Sequence, residues 1–160
     1  MTSELIIKPV DKLQSEIILK LKTLRGKIGI YVSLNKPQKS VNELFQKSSI
    51  DTSKLFFIDC VSKEVMSNDV INLSPNDLDT LSLAINTYIK DIPGEKFLII
   101  DALSTLLIYN NENKVAEFIQ GITKHVSENK IVFLAFSPKT EGEELLNKIF
   151  NFFDNVETKK

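Results

Sequence analysis

Residues 96–110 read KFLIIDALSTLLIYN, and this stretch decides the fold. A charged residue leads into four apolar side chains, Phe97 to Ile100, and Asp101 stands where such a strand should end. A short apolar run without polar alternation is typical of a strand that is buried on both faces. The stretch therefore predicts an inner strand of a parallel sheet with a carboxylate at its carboxyl end.

Four further apolar runs of the same kind are spread along the chain, over residues 4–10, 28–34, 54–61 and 130–136. Segments with apolar residues at helical spacing lie between and after the runs, over 11–24, 37–48, 74–92, 112–129 and 141–156. Ser74 is the expected N-cap of the third helix. The alternation predicts a three-layer α/β/α fold with a predominantly parallel sheet of five strands. Residues 62–73 are the one longer irregular connection, and we expect residues 1–160 to form a single domain.

Composition and charge argue against several classes of protein. One cysteine and one histidine leave no internal disulfide and no His/Cys metal cluster. No apolar run approaches the roughly 20 residues that span a bilayer, and the N-terminus lacks a secretory pattern, so we expect a cytoplasmic protein without a membrane partner. Residues 1–40 carry eight Lys or Arg and three Asp or Glu, a balance of +5, but Arg25 is the only arginine. Nucleic-acid readers favour arginine, so we expect no nucleic-acid partner.

Candidate ligand-binding residues stand at the carboxyl ends of the predicted strands, where open parallel sheets bind their ligands. Asp59 and Asp101 both occupy such ends, and two neighbouring carboxylates would hold Mg²⁺ through oxygen ligands. They would equally cap the turns that follow, so both interpretations stay open. Four lysines at or after strand ends would surround a nucleotide or another anion: Lys8, Lys12, Lys36 and Lys139.

The order of these segments resembles the core of RecA/KaiC-like P-loop ATPases, and is closest to the small archaeal KaiC-like domains. Its most specific part is IIDALSTLL, residues 99–107, which is similar to the Walker B strand and the serine-containing turn of that family. The resemblance extends from Ser3 to Val156. It implies the fold of the family, with ATP and Mg²⁺ as ligands.

Two departures from the family pattern bear on activity. The family's first strand leads into a glycine-rich loop whose amides cradle phosphates, whereas residues 8–16, KPVDKLQSE, contain no glycine, and Pro9 has no amide hydrogen. Acidic residues that activate the attacking water follow the family's second strand, but Asn35 and Lys36 stand there in this chain. Phosphoryl transfer depends on positioning and charge neutralisation. The resemblance therefore implies a degenerate member that lacks the Walker A loop.

We therefore expect a non-catalytic regulatory or protein-interaction module, a pseudo-ATPase with no cofactor, which self-associates or docks on a partner such as an active KaiC-like ATPase. The alternative is a nucleotide- or anion-binding domain that still takes ATP and Mg²⁺ at the strand ends. Residues 103–111 and 145–156 hold more large apolar side chains than one helix stripe needs. The expected interface consists of Leu106, Leu107, Ile108, Tyr109, Phe150, Phe152 and Phe153.

Overall fold

The computed structural model describes residues 3–62, 70–139 and 142–158. Within them a single sheet of seven strands has the order β4-β3-β2-β5-β6-β1-β7, and every neighbouring pair is parallel. The strands are β1 (Ser3–Lys8), β2 (Ile28–Ser33), β3 (Leu55–Asp59), β4 (Val70–Asn72), β5 (Lys96–Asp101), β6 (Val132–Pro138) and β7 (Asn155–Thr158). The predicted parallel α/β fold is confirmed, but the prediction of five strands is wrong.

Helices cover both faces of the sheet and complete the three layers. They are α1 (Val10–Thr23), α2 (Gln38–Lys47), α3 (Leu78–Asp91), α4 (Leu106–Tyr109), α5 (Glu112–Glu128) and α6 (Glu143–Ile149). The apolar sides of α1 and α2 pack on one face, and those of α3, α4, α5 and α6 pack on the other. None of the helices in the described part of the chain is long and apolar enough to cross a membrane.

The central strand β5 explains why the sequence shows no polar alternation there. Successive side chains of a strand point to opposite faces, so Leu98 and Ile100 enter one core and Phe97 and Ile99 enter the other. Gly29 lies opposite Phe97 in the parallel register. A Cβ atom on Gly29 would lie 2.1 Å from Cζ of that ring, so only glycine leaves room for the phenyl group.

The connection after β3 differs from its sequence interpretation. Residues 62–73 were expected to be irregular, but Val70–Asn72 form the edge strand β4, while 63–69 lie outside the described residues. The third helix also begins later than expected. Asp77 rather than Ser74 is its N-cap, because the Asp77 carboxylate accepts a hydrogen bond from Thr80 N at 3.1 Å.

The C-terminal segment contains the largest error of the sequence interpretation. A helix was expected over 141–156, whose first residue lies outside the described ranges. Instead α6 ends at Ile149, a 3₁₀ turn follows, and the chain then forms β7 beside β1. Phe153 packs on Phe133 with ring centroids 5.7 Å apart, and Ser3 and Asp154 exchange two hydrogen bonds of 3.1 and 3.0 Å. These contacts draw the chain away from the helical path.

Candidate functional site

The carboxyl edge of the sheet is the place to look for a site, because the chain reverses its direction across the sheet there. From β2 the chain proceeds to β3 and β4 on one side, whereas from β5 it proceeds to β6 on the other. Ligands of doubly wound sheets bind at such a reversal. The edge has two parts: the β1 end, which holds the candidate lysines, and a cleft above β2, β3 and β4.

Asp101 ends β5 and is buried, with a few polar groups around its carboxylate. The Tyr31 hydroxyl donates to Asp101 Oδ2 at 2.8 Å, and Asn35 Nδ2 lies 3.5 Å from Oδ1. Burial raises the pKa of Asp101 above its ordinary value, although the Tyr31 hydrogen bond and the charge of Lys36 oppose this. Burial, and then the charge of Asp101, likewise raise the pKa of Tyr31. Burial therefore works against the charged form of Asp101 that a metal ion would bind, whereas Tyr31 and Lys36 favour that form.

Asp59 ends β3 and anchors the backbone on both sides of it. Its carboxylate accepts hydrogen bonds from Gln38 N at 2.8 Å, Val61 N at 2.8 Å and Ser62 N at 2.9 Å. Burial acts to raise the pKa of Asp59, but these amides outweigh it and hold the pKa below its ordinary value. The carboxylate thus joins the start of α2 to the turn after β3.

The two aspartates lie in the same register but on strands separated by β2, since Ser33 pairs with both. Two strand spacings amount to roughly 9–10 Å between their backbones. The hydrogen-bond donors to Asp59 and Asp101 are different groups. Within the described ranges no group of three His, Cys, Asp or Glu side chains is placed to hold a metal ion.

The lysines expected around an anion surround the start of α1 but do not share one environment. Lys8 is 5% exposed, and its ammonium lies 3.6 Å from Glu157 of β7. Lys36 donates to Gln14 of α1 at 2.7 Å. Lys12 and Lys139 are exposed, and Lys139 N donates to Lys8 O at 2.8 Å.

A cleft of about 710 Å³ occupies the other part of the edge. Its lining comes from the ends of β2, β3 and β4 and from Tyr109 at the end of α4. Asn110 Nδ2 donates to the carbonyl of Pro75 at 2.9 Å, which joins the connection after β5 to the connection after β4. In the sheet, β2 and β3 lie between β4 and β5. The hydrogen bond therefore bridges the two connections above the carboxyl ends of β2 and β3.

Cys60 lines this cleft as an inert thiol. Burial, and then the nearby charge of Asp59, raise the pKa of Cys60 to about 12. Since the thiolate is the nucleophile, a thiol with this pKa is unsuited to covalent chemistry at neutral pH.

The predicted interface residues divide into buried and exposed groups. Leu106 and Phe153 lie in the core, so the expectation that they are available to a partner is wrong. Leu107, Phe150 and Phe152 are half-buried and pack against the core. Ile108 is 74% exposed and Tyr109 is 52% exposed. These last two side chains form the exposed part of the predicted interface.

Two residues of this edge were missed at the level of sequence. Tyr31 lies within the apolar run of β2 and gave no polar signal. Asn72 lines the cleft, but it fell in a segment that was interpreted as irregular. Had β4 been recognised as a strand, the polar residue at its carboxyl end would have pointed to Asn72.

Comparisons with known proteins agree with the fold. The model of a family of unknown function, DUF7504, matches residues 29–157. A KaiC-like protein of the hyperthermophilic archaeon Pyrococcus horikoshii is similar in structure, with a TM-score of 0.69 and 14% identity over 97% of this chain and 69% of the other. An uncharacterized protein of the same organism, solved in complex with an unknown peptide, has a TM-score of 0.72 and 12% identity over 97% and 76%. These likenesses show a KaiC-like fold alone. No curated protein sequence matches the chain.

Proposed function

The chain belongs to DUF7504, a family of unknown function, and we propose that it is a non-catalytic RecA/KaiC-like module that acts by binding protein. In this proposal it is a pseudo-ATPase, a degenerate form of the ATPase core without a Walker A loop. It associates with itself or docks on a partner such as an active KaiC-like ATPase.

The observation that carries the proposal is the connection between β1 and α1. Strand β1 ends at Lys8 and α1 begins at Val10, so Pro9 is the only residue between them. A phosphate cradle needs a loop of several residues whose amides point inward. One proline supplies neither the length nor the N–H groups. The nearby ammonium of Lys8 is buried against Glu157 and is turned to the sheet edge rather than to a ligand.

The surroundings of the two aspartates also support a loss of catalysis. The Asp59 carboxylate is occupied by three backbone amides. The pKa of Asp101 is raised by burial, which disfavours the charged form that Mg²⁺ requires. Asn35 and Lys36 carry no carboxylate that would activate water.

Protein binding is supported by the exposed apolar side chains on α4. Ile108 is 74% exposed and adjoins Tyr109 at the rim of the cleft. Exposed apolar groups next to one another mark interaction surfaces more often than isolated ones do. One of the two fold relatives was solved with an unknown peptide bound, which makes peptide or protein binding a reasonable use of the same fold here.

Hydrolysis of Mg-ATP tests the non-catalytic part of the proposal. We expect the native protein and its Asp101→Ala variant to release phosphate from Mg-ATP at the same background rate. The matched comparison excludes a contaminating ATPase, which would act equally in both preparations. Hydrolysis by the native protein that disappears in the variant would refute the proposal.

Light scattering behind size-exclusion chromatography tests the binding part. We expect an assembly larger than a monomer whose size does not depend on Mg-ATP. Ile108→Arg should dissociate it, whereas Leu83→Arg should not, because Leu83 is similarly exposed at 67% but lies on α3. A monomer that assembles only with Mg-ATP would show that nucleotide still binds.

The second candidate is an anion-binding domain, which the exposure of Lys12 and Lys139 near the end of β1 favours. Thermal unfolding with ATP, Mg²⁺ and inorganic phosphate tests it. A ligand at 100 times its Kd stabilises the folded state by about 2.7 kcal/mol. Stabilisation that is lost in Lys12→Ala/Lys139→Ala would favour this candidate over the first.

A further inference from the structure

The cleft above β2, β3 and β4 has the size and place of a small-molecule site. Its volume of about 710 Å³ falls within the range of roughly 300–1,000 Å³ that is usual for such sites. It lies at the carboxyl ends of parallel strands, where α/β sheets bind ligands. It is separate from the β1 end, which holds Lys8 and the start of α1.

Hydrogen bonds between the segments that line the cleft hold its wall and its floor. The Asn110–Pro75 hydrogen bond of 2.9 Å fixes its outer wall. Its floor is held by ladder-like bonds between strand ends, from Cys60 N to Ser33 O at 3.0 Å and from Leu73 N to Asp59 O at 3.1 Å. Tyr109, which precedes Asn110 in the chain, also lines the cleft.

The described residues that line the cleft favour an uncharged ligand. Among the described residues that line the cleft none is charged. Leu34, Cys60, Val61 and Leu73 supply apolar surface, and Tyr109 supplies a half-exposed ring. These described residues offer an anion such as a nucleotide phosphate no cation in place of its hydration. An uncharged molecule with an apolar ring suits this lining.

Asn72 supplies an acceptor that lacks a partner. Its Nδ2 donates to Ser62 O over a long 3.4 Å, and its Oδ1 is buried without a hydrogen bond. A buried acceptor without a donor is unfavourable. The χ2 angle of asparagine is soft, so rotation of the amide would let Oδ1 accept a hydrogen bond from a donor in the cleft that the residue lines.

We propose that this cleft binds an uncharged ring compound that packs against Tyr109 and donates an N–H hydrogen bond to Asn72 Oδ1. The site goes beyond the protein-binding function proposed above, since it needs neither self-association nor a partner. It also lies apart from the β1 end of the sheet edge, because no residue of β1 or α1 is among the described residues that line it.

Indole and benzofuran are the probes, because they share a ring shape and differ in the N–H group. In an NMR titration of the ¹⁵N-labelled protein we expect indole to shift the backbone amides of Val61, Ser62 and Leu73 and the side-chain amide of Asn72. Benzofuran should bind about two- to tenfold more weakly, the loss of one neutral hydrogen bond. Inorganic phosphate should leave all these signals in place.

Variants assign the contacts and separate this proposal from the protein-binding function. Tyr109→Ala should weaken indole binding about two- to tenfold through the lost ring contact, whereas Ile108→Arg should leave it unchanged while it disrupts association. In Asn72→Leu the two probes should bind equally. The proposal is overturned if indole moves none of the cleft signals, or if Tyr109→Ala binds indole as the native protein does.

Discussion

Replacing Asp59 with alanine is the sharpest test of how this edge is held. The change removes three hydrogen bonds from backbone amides, and one from the Ser62 side chain, to a carboxylate with 1% exposure. Bonds to charged groups contribute about 1.5–3 kcal/mol each. Val61 is an exposed residue, so we expect water to replace the carboxylate at its amide in the variant, which reduces the sum. We expect Asp59→Ala to lower the free energy of unfolding by about 3–5 kcal/mol, a large part of the roughly 5–15 kcal/mol of a typical domain.

Urea unfolding measures this loss. With a slope of about 2 kcal/mol per molar urea, a loss near 4 kcal/mol moves the midpoint by about 2 M. Asp77→Ala is the matched control, because that carboxylate also accepts a backbone amide, Thr80 N, but at an exposed helix start. We expect a clearly smaller shift in the control. Equal shifts in the two variants would refute the view that Asp59 anchors the strand end.

The pH dependence provides an independent check on Asp59. Backbone amides outweigh burial and lower the pKa of Asp59 in the folded state. The stability from this carboxylate is therefore present above its ordinary pKa of about 3.9 and is lost as the pH falls through the lower folded-state value. The difference in free energy of unfolding between the native protein and Asp59→Ala should narrow only in that acidic range. If Mg²⁺ at neutral pH stabilises the native protein but not Asp59→Ala, the carboxylate is a metal ligand and our reasoning is wrong.

Two further substitutions test the core beneath the edge. Gly29→Ala places a methyl group 2.1 Å from Cζ of Phe97 and should lower the free energy of unfolding by about 1–3 kcal/mol. Adding Phe97→Leu should recover part of this loss. The midpoints of urea unfolding measure both effects. Tyr31→Phe removes the hydroxyl that holds the pKa of Asp101 down. An acid whose pKa is raised in the folded state loses stability as the pH rises. From acidic to neutral pH, the free energy of unfolding of this variant should therefore fall by about 1–2 kcal/mol more than that of the native protein. Equal falls in denaturant titrations would contradict this prediction.

The inner strands were predictable because each of them is buried on both faces. Runs such as residues 96–101 must be apolar throughout when helices cover both sides, and Phe97 and Leu98 enter different cores. The burial of β2, β3, β5 and β6 therefore leaves a signal in the sequence itself. Asp59 and Asp101 were correctly placed at strand ends for the same reason.

The edge strands were not predictable, because their positions are set by distant residues. β4 has three residues and β7 has four, of which two are exposed. A helix was the natural interpretation of residues 145–156, since their apolar side chains are dense. What turns the chain is the contact of Phe153 with Phe133 and the hydrogen bonds between Ser3 and Asp154. No local pattern encodes a partner 151 residues away.

The partners of the candidate side chains were likewise hidden from the sequence. Spacing placed Asp101 at the edge, but nothing local indicated that the Tyr31 hydroxyl, 70 residues earlier, would meet its carboxylate. The same holds for Lys8, which was expected to face an anion and instead pairs with Glu157. Whether a charged residue at a strand end binds a ligand or another residue depends on such contacts.

The β1 end and the cleft together suggest how a fold of this kind changes its use. At the β1 end Pro9 alone separates β1 from α1, and Lys8 pairs with Glu157 of the edge strand β7. The cleft instead keeps an unpaired acceptor on Asn72 and an exposed ring on Tyr109, and neither group gains by remaining unoccupied. Since stability alone does not explain the cleft, we expect binding by this protein to be found there and on the adjoining Ile108 rather than at the β1 end.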